Sequence, residues 1–83
     1  MRLLLIEDNA RLGSLVRDGL IPQGFAVDWV ETVEDAELAM TVATYDLLLV
    51  DLGLPDGDGL DIVRRSRRDK NATPILVLTA RGG

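Results

Sequence analysis

The sequence contains neither cysteine nor histidine. Without cysteine there is no disulfide, no zinc–thiolate cluster and no thiol nucleophile. Without histidine the commonest general base and the commonest transition-metal ligand are both gone, and with them any histidine-dependent triad. Aromatic residues are scarce, at 4%. Basic residues are outnumbered, nine against fourteen acids, for a net charge of -5 and a pI near 4.4. The overall field therefore repels a phosphate backbone, and this segment is not expected to contact nucleic acid. No run approaches the ~20 apolar residues of a membrane span. The N-terminal Leu3-Leu4-Leu5-Ile6 stops at Glu7-Asp8, too short for the core of an export signal, so the cytoplasm is the expected compartment.

What is present is an ordinary globular composition, 47% hydrophobic and 28% charged over 83 residues, enough for one small domain. Four apolar runs recur at Leu3–Ile6, Phe25–Val30, Leu47–Val50 and Ile75–Leu78. The first, third and fourth barely alternate, as strands buried on both faces do. The second alternates, with Phe25, Val27 and Trp29 on one side, which predicts an edge strand packed through that side. Between the runs lie helix patterns. Asn9 heads one whose stripe reads Leu12, Leu15, Val16, Gly19 and Leu20, with Pro22-Gln23-Gly24 as the stop and Gly13 as an internal cost. Thr32, with Asp35 three residues on, heads a second lined by Val33, Ala36, Met40 and Ala43. Asp58 heads a third, through Leu60 and Val63, that ends at Asp69-Lys70-Asn71. The order βαβαβαβ predicts an α/β fold: a parallel sheet with helices on both faces.

Ligands of such sheets bind at the carboxyl ends of the strands. There stand Glu7 and Asp8 after the first strand, Asp51 after the third and Thr79 after the fourth. Neighbouring strands lie about 4.8 Å apart, so Asp8 and Asp51 converge if strands one and three pair. Crowded carboxylates repel unless a cation sits among them, and oxygen-only donors favour a hard ion, Mg2+ first. Glu7 alone also reads as a helix cap or solvated loop residue; Asp51, closing a buried run, is costly without a partner. Rival motifs fail. Gly57-Asp58-Gly59 lacks the third glycine of a dinucleotide loop, no window fits a calcium-binding loop, and no Walker sequence occurs. A haloacid-dehalogenase phosphatase would need a second Asp where Gly53 stands. Arg64, Arg65, Arg67, Arg68 and Lys70 spread around a helix end and read as a solvated terminus complementing its dipole. Asp28, Glu31, Glu34, Asp35 and Glu37 read as a solvated acidic face.

Three segments together, LLLIEDN, LLLVDLGLPDGDGL and TPILVLTAR, resemble the receiver domain of bacterial response regulators. The detail is similar to the branch in which a winged-helix DNA-binding domain follows. The resemblance covers residues 1–83 and implies a flavodoxin-like receiver fold with strand order 2-1-3-4, the fifth strand absent. It implies Asp51 as phosphoacceptor and Asp8 as a direct Mg2+ ligand. It also implies Glu7 as a ligand chiefly through water, the carbonyl of Gly53 as a further ligand, and Thr79 as the switch hydroxyl beside a small residue, Ala80. The implied partner is a sensor histidine kinase, and the implied role is regulatory rather than enzymatic. An aspartate with an ordinary pKa of about 3.9 is ionised at neutral pH and needs no general base to attack phosphorus.

A family receiver continues through a helix, a strand ending in a lysine, and a last helix. This chain is expected to be an incomplete receiver over 1–83 that lacks them. Ser66 stands where a leucine is usual, which weakens the third helix's stripe. An inert remnant that serves only as an interaction module is the alternative reading. Ile75-Leu76-Val77-Leu78 lacks charge, interrupting proline or bulge, so an outer edge made of it is expected to drive self-association.

Overall fold

Side-chain alternation sends the odd and even residues of the first strand to opposite faces, and the two faces collect different helices. The computed structural model describes residues 1–69 and 72–79. Within them run β1 (Arg2–Ile6), α1 (Ala10–Leu20), a 3-10 turn at Ile21–Gln23, β2 (Ala26–Val30), α2 (Val33–Val42), β3 (Leu47–Asp51), β4 (Gly53–Leu54), β5 (Gly57–Asp58), α3 (Gly59–Arg68) and β6 (Ile75–Thr79). The main sheet is parallel in the order β2-β1-β3-β6, which is the expected 2-1-3-4 order with β6 as the fourth long strand. Lys70, Asn71 and Ala80, named above in the helix end and beside Thr79, lie outside the described residues.

Leu4, Ile6, Leu48 and Val50 face α2 and α3 and bury Ala36, Tyr45, Leu54 and Ile62. Leu3, Leu5 and Leu49 face α1 and gather Val16, Leu20, Phe25, Val27 and Trp29. Each fully buried aliphatic side chain of this kind contributes roughly 1.5–3 kcal/mol. The expected caps form: Asn9 accepts from Leu12 N at 2.9 Å, Thr32 from Asp35 N at 3.0 Å and Asp58 from Leu60 N at 2.9 Å.

Several details differ from the sequence reading. In α1 the buried residue is Gly13, while Leu15 is 64% exposed and Gly19 is exposed. The Trp29 ring lies where a Cβ on Gly13 would be, and this close approach turns α1 so that residues 12, 13, 16 and 20 face the sheet. In α3 the buried positions are Gly59, Ile62 and Ser66, with Leu60 at the surface and Val63 half-buried. The serine hydroxyl is buried without a hydrogen-bond partner among the described residues, beside a groove of about 630 Å³ between α2 and α3. Asp28 leaves the expected solvated face: its carboxylate takes the Tyr45 hydroxyl at 2.7 Å and the Arg2 guanidinium at 2.9 Å. Pro55-Asp56 turns a short antiparallel β4–β5 hairpin that was not anticipated. The β3–β6 ladder carries a register irregularity at Val50/Asp51, so β6 is not free of bulges. The extra residue is Leu78 of β6, between Val77 and Thr79, and on the same strand Leu76 is 57% and Val77 48% exposed.

Candidate functional site

Each acidic residue of the site is delivered by the end of a buried strand. Glu7 follows β1 directly and is fully buried. Its N–H donates to the Val30 carbonyl at 3.0 Å, and its own carbonyl accepts the Trp29 indole N–H at 2.8 Å. Its carboxylate takes the Asn9 N–H at 3.1 Å, so the residue that caps α1 also closes the loop around Glu7. Asp8, half-buried, is the residue this loop holds between them. Asp51 ends β3, fully buried, and accepts from Gly53 N at 3.2 Å. Thr79 stands opposite Asp51 in the β3–β6 register.

The turn after Asp51 is fixed from below. Gly59 N donates to the Leu52 carbonyl at 3.0 Å, and a Cβ at Gly59 would strike the Asp51 carbonyl oxygen and Val50. Only glycine lets α3 begin this close to the β3 terminus. Asp56, at the hairpin tip, accepts from the Val33 and Glu34 N–H groups at 2.8 and 3.1 Å, tying the hairpin to the start of α2. These amide donors, Val33 first, hold the Asp56 carboxyl below its ordinary value.

One carboxylate oxygen from each of Glu7, Asp8 and Asp51 lies within 4.8 Å of the others. The electrostatic consequence falls on Glu7. Burial, followed by its hydrogen bond and like charge with Asp51, pushes its carboxyl up to about 7. An oxygen-only donor set at this spacing fits a small hard cation that keeps several of its waters. A divalent ion there would relieve the repulsion that burial amplifies. The expected acidic residues are thus brought together, with the Gly53 amide on Asp51 and the Thr79 backbone alongside. Trp29, Asp56 and Gly59 were not anticipated as supports. Pro-Asp-Gly signals the hairpin that carries Asp56, whereas nothing local to Trp29 points to Glu7.

A family model described as response regulator receiver domain matches residues 3–83. The chain belongs to that family. Receiver-bearing relatives include the response regulator protein PmrA of Pseudomonas aeruginosa, 47% identical over 98% of this chain. The virulence transcriptional regulatory protein PhoP of Salmonella typhimurium is 43% identical over 100% of it. The chain spans 37% of the length of either relative. Among solved structures, the non-phosphorylated HemR receiver domain from Leptospira biflexa superposes with a TM-score of 0.89 at 35% identity, over 99% of this chain and 66% of that one. The MaeR response regulator bound to beryllium trifluoride superposes at 0.91 with 28% identity, over 100% of this chain and 70% of that one. The receiver is a regulatory domain of two-component signalling. Among its described residues no helix is long and apolar enough to cross a membrane.

Proposed function

We propose that this receiver accepts a phosphoryl group on Asp51 from a sensor histidine kinase in the cytoplasm, with Mg2+ as cofactor, acting as a phosphoacceptor and not as a free-standing enzyme. The convergence of Glu7, Asp8 and Asp51 within 4.8 Å at the carboxyl ends of β1 and β3 carries the reading. Asp51 Oδ attacks phosphorus, an O–P bond forms, and the donor's P–N bond breaks with the electron pair returning to imidazole nitrogen. The Gly53 amide orients the attacking carboxylate. Asp8 would hold the cation directly and Glu7 chiefly through water, with the Gly53 carbonyl assigned as a further ligand. When bound, Mg2+ supplies charge that offsets repulsion between the phosphoryl oxygens and the acidic residues. The Thr79 hydroxyl then engages the phosphoryl group, biasing a two-state surface that switches a transcriptional regulator.

Incubation of the chain with acetyl phosphate and Mg2+, read by intact mass, tests this. The expected result is one phosphoryl adduct that Asp51→Asn removes. An adduct of equal yield on the variant overturns the assignment, and no adduct on either favours the inert interaction module. The exposed side chains of Leu76 and Val77 on β6 support self-association of this chain in either case. Light scattering over a concentration series checks it, and a concentration-independent monomer contradicts it.

A further inference from the structure

The acidic loop depends on a residue that lies outside it. β2 ends at Val30, whose carbonyl takes the Glu7 N–H at 3.0 Å, and the Trp29 indole N–H donates to the Glu7 carbonyl at 2.8 Å. The ring is held on two sides. Gly13 of α1 lies so close that any Cβ there would collide with the indole, and the Arg17 guanidinium covers the ring at 5.3 Å from its centroid. One rigid side chain, with only two side-chain torsions, therefore joins β2, the first two turns of α1 and the terminus of β1. The loop between those last two elements is Glu7-Asp8-Asn9, and its middle residue is the assigned direct cation ligand.

Resting on the reading of Glu7, Asp8 and Asp51 as a cation site, we propose that Trp29 is a positioning residue for that site, its indole N–H fixing the Glu7 carbonyl and thereby the direction in which Asp8 is presented. The ring contributes ordinary packing as well, on Leu3, Leu5 and Leu49. Phenylalanine keeps the aromatic packing on that cluster but loses the donor and the part of the indole that lies against Gly13. Losing the donor removes this hydrogen bond from the Glu7 carbonyl, an effect of about fivefold to tenfold for one hydrogen bond. Gly13→Ala perturbs the same bond from the opposite direction, by forcing the indole to move while leaving it intact.

The test uses the 83-residue chain in three measurements. In the wild type without metal, the Trp29 indole N–H is expected to exchange with solvent far more slowly than a free indole. Exchange at the free rate overturns the proposal without any variant. In Trp29→Phe without metal, the amides of Asp8 to Leu12 are expected to lose protection while those of β3 keep theirs; unchanged protection overturns it. By calorimetry, Mg2+ affinity is expected to fall about fivefold to tenfold in Trp29→Phe and in Gly13→Ala. In Arg17→Gln, which touches the ring but not Glu7, it is expected to stay within about twofold. Equal Mg2+ affinity in wild type and Trp29→Phe overturns the proposal. A wild type that binds no Mg2+ overturns the cation-site reading instead, and the two exchange measurements still decide whether Trp29 positions the loop.

Discussion

At the amino end of the sheet, Arg2, Asp28, Tyr45 and Asp46 satisfy one another; at the carboxyl end, Glu7, Asp8 and Asp51 crowd together. The amino-end group is closed. Asp28 takes the Tyr45 hydroxyl and the Arg2 guanidinium, Asp46 takes the Arg2 main-chain N–H at 2.7 Å, and the guanidinium lies 5.5 Å from the Tyr45 ring centroid. The Tyr45 hydroxyl, then Arg2, holds the Asp28 carboxyl below its ordinary value. At the other end burial and a second carboxyl push Glu7 up to about 7. The same residue types thus stabilise the fold where opposite charges meet and strain it where like charges meet. Strain of that sign, at strand ends beside a helix start, identifies a binding site more sharply than the acidic residues do one by one.

The largest effect is expected on cation binding. On the proposed roles, with Asp8 a direct ligand and Glu7 acting through water, Asp8→Ala should weaken Mg2+ by about a hundredfold or more and Glu7→Ala by about tenfold. Calorimetry checks the order, and equal losses contradict the two roles.

Next in size is a reversal of sign between the two ends. Asp28→Ala leaves the Tyr45 hydroxyl and Arg2 without their acceptor and should cost about 2 kcal/mol in urea unfolding. Asp51→Asn, measured in EDTA, removes one of three crowded charges and should raise stability by about 1 kcal/mol. With Mg2+ present the second effect should reverse, since the variant gives up one carboxylate of the proposed cation site.

The amino end also sets limits in pH. Burial, then the Asp28 carboxylate, pushes the Tyr45 hydroxyl up to about 12 from its usual 10, so the folded state holds that proton more tightly than the unfolded state. Its contribution is complete below pH 10 and is lost as pH rises toward 12. Asp28 is shifted the other way, so its contribution is present above 3.8 and fades as pH falls through its lowered value. Tyr45→Phe should flatten the alkaline limb of a urea-midpoint profile, and Asp28→Asn the acid limb.

The smallest effect belongs to Ser66, 4% exposed, on the α3 face toward α2. Its buried hydroxyl has no partner among the described residues, so Ser66→Ala should stabilise by about 0.5–1 kcal/mol in the same assay. A loss of stability would mean that water in the α2–α3 groove satisfies the hydroxyl.

Much of this molecule was legible in local pattern. Apolar runs of strand length, helix patterns between them, and Asn9, Thr32 and Asp58 at the helix starts are short-range signals, and the order βαβαβαβ leaves few topologies. Acidic residues at the ends of buried strands one and three follow from that order, which is why Glu7, Asp8 and Asp51 could be named before their distances were known. The supports were different in kind. Trp29 reaches Glu7 across 22 residues of sequence, Asp56 reaches Val33 across 23, and Tyr45 reaches Asp28 across 17. Whether Leu15 or Gly13 faces the sheet depended on the Trp29 ring. Periodicity records which side of an element is apolar, but the rotation of that element and the partner of each polar group depend on which atoms meet when the layers pack. The identity of the site therefore lay in the chain, while its rigidity and its electrostatic strain arose only when β2, α1 and the β4–β5 hairpin closed around it.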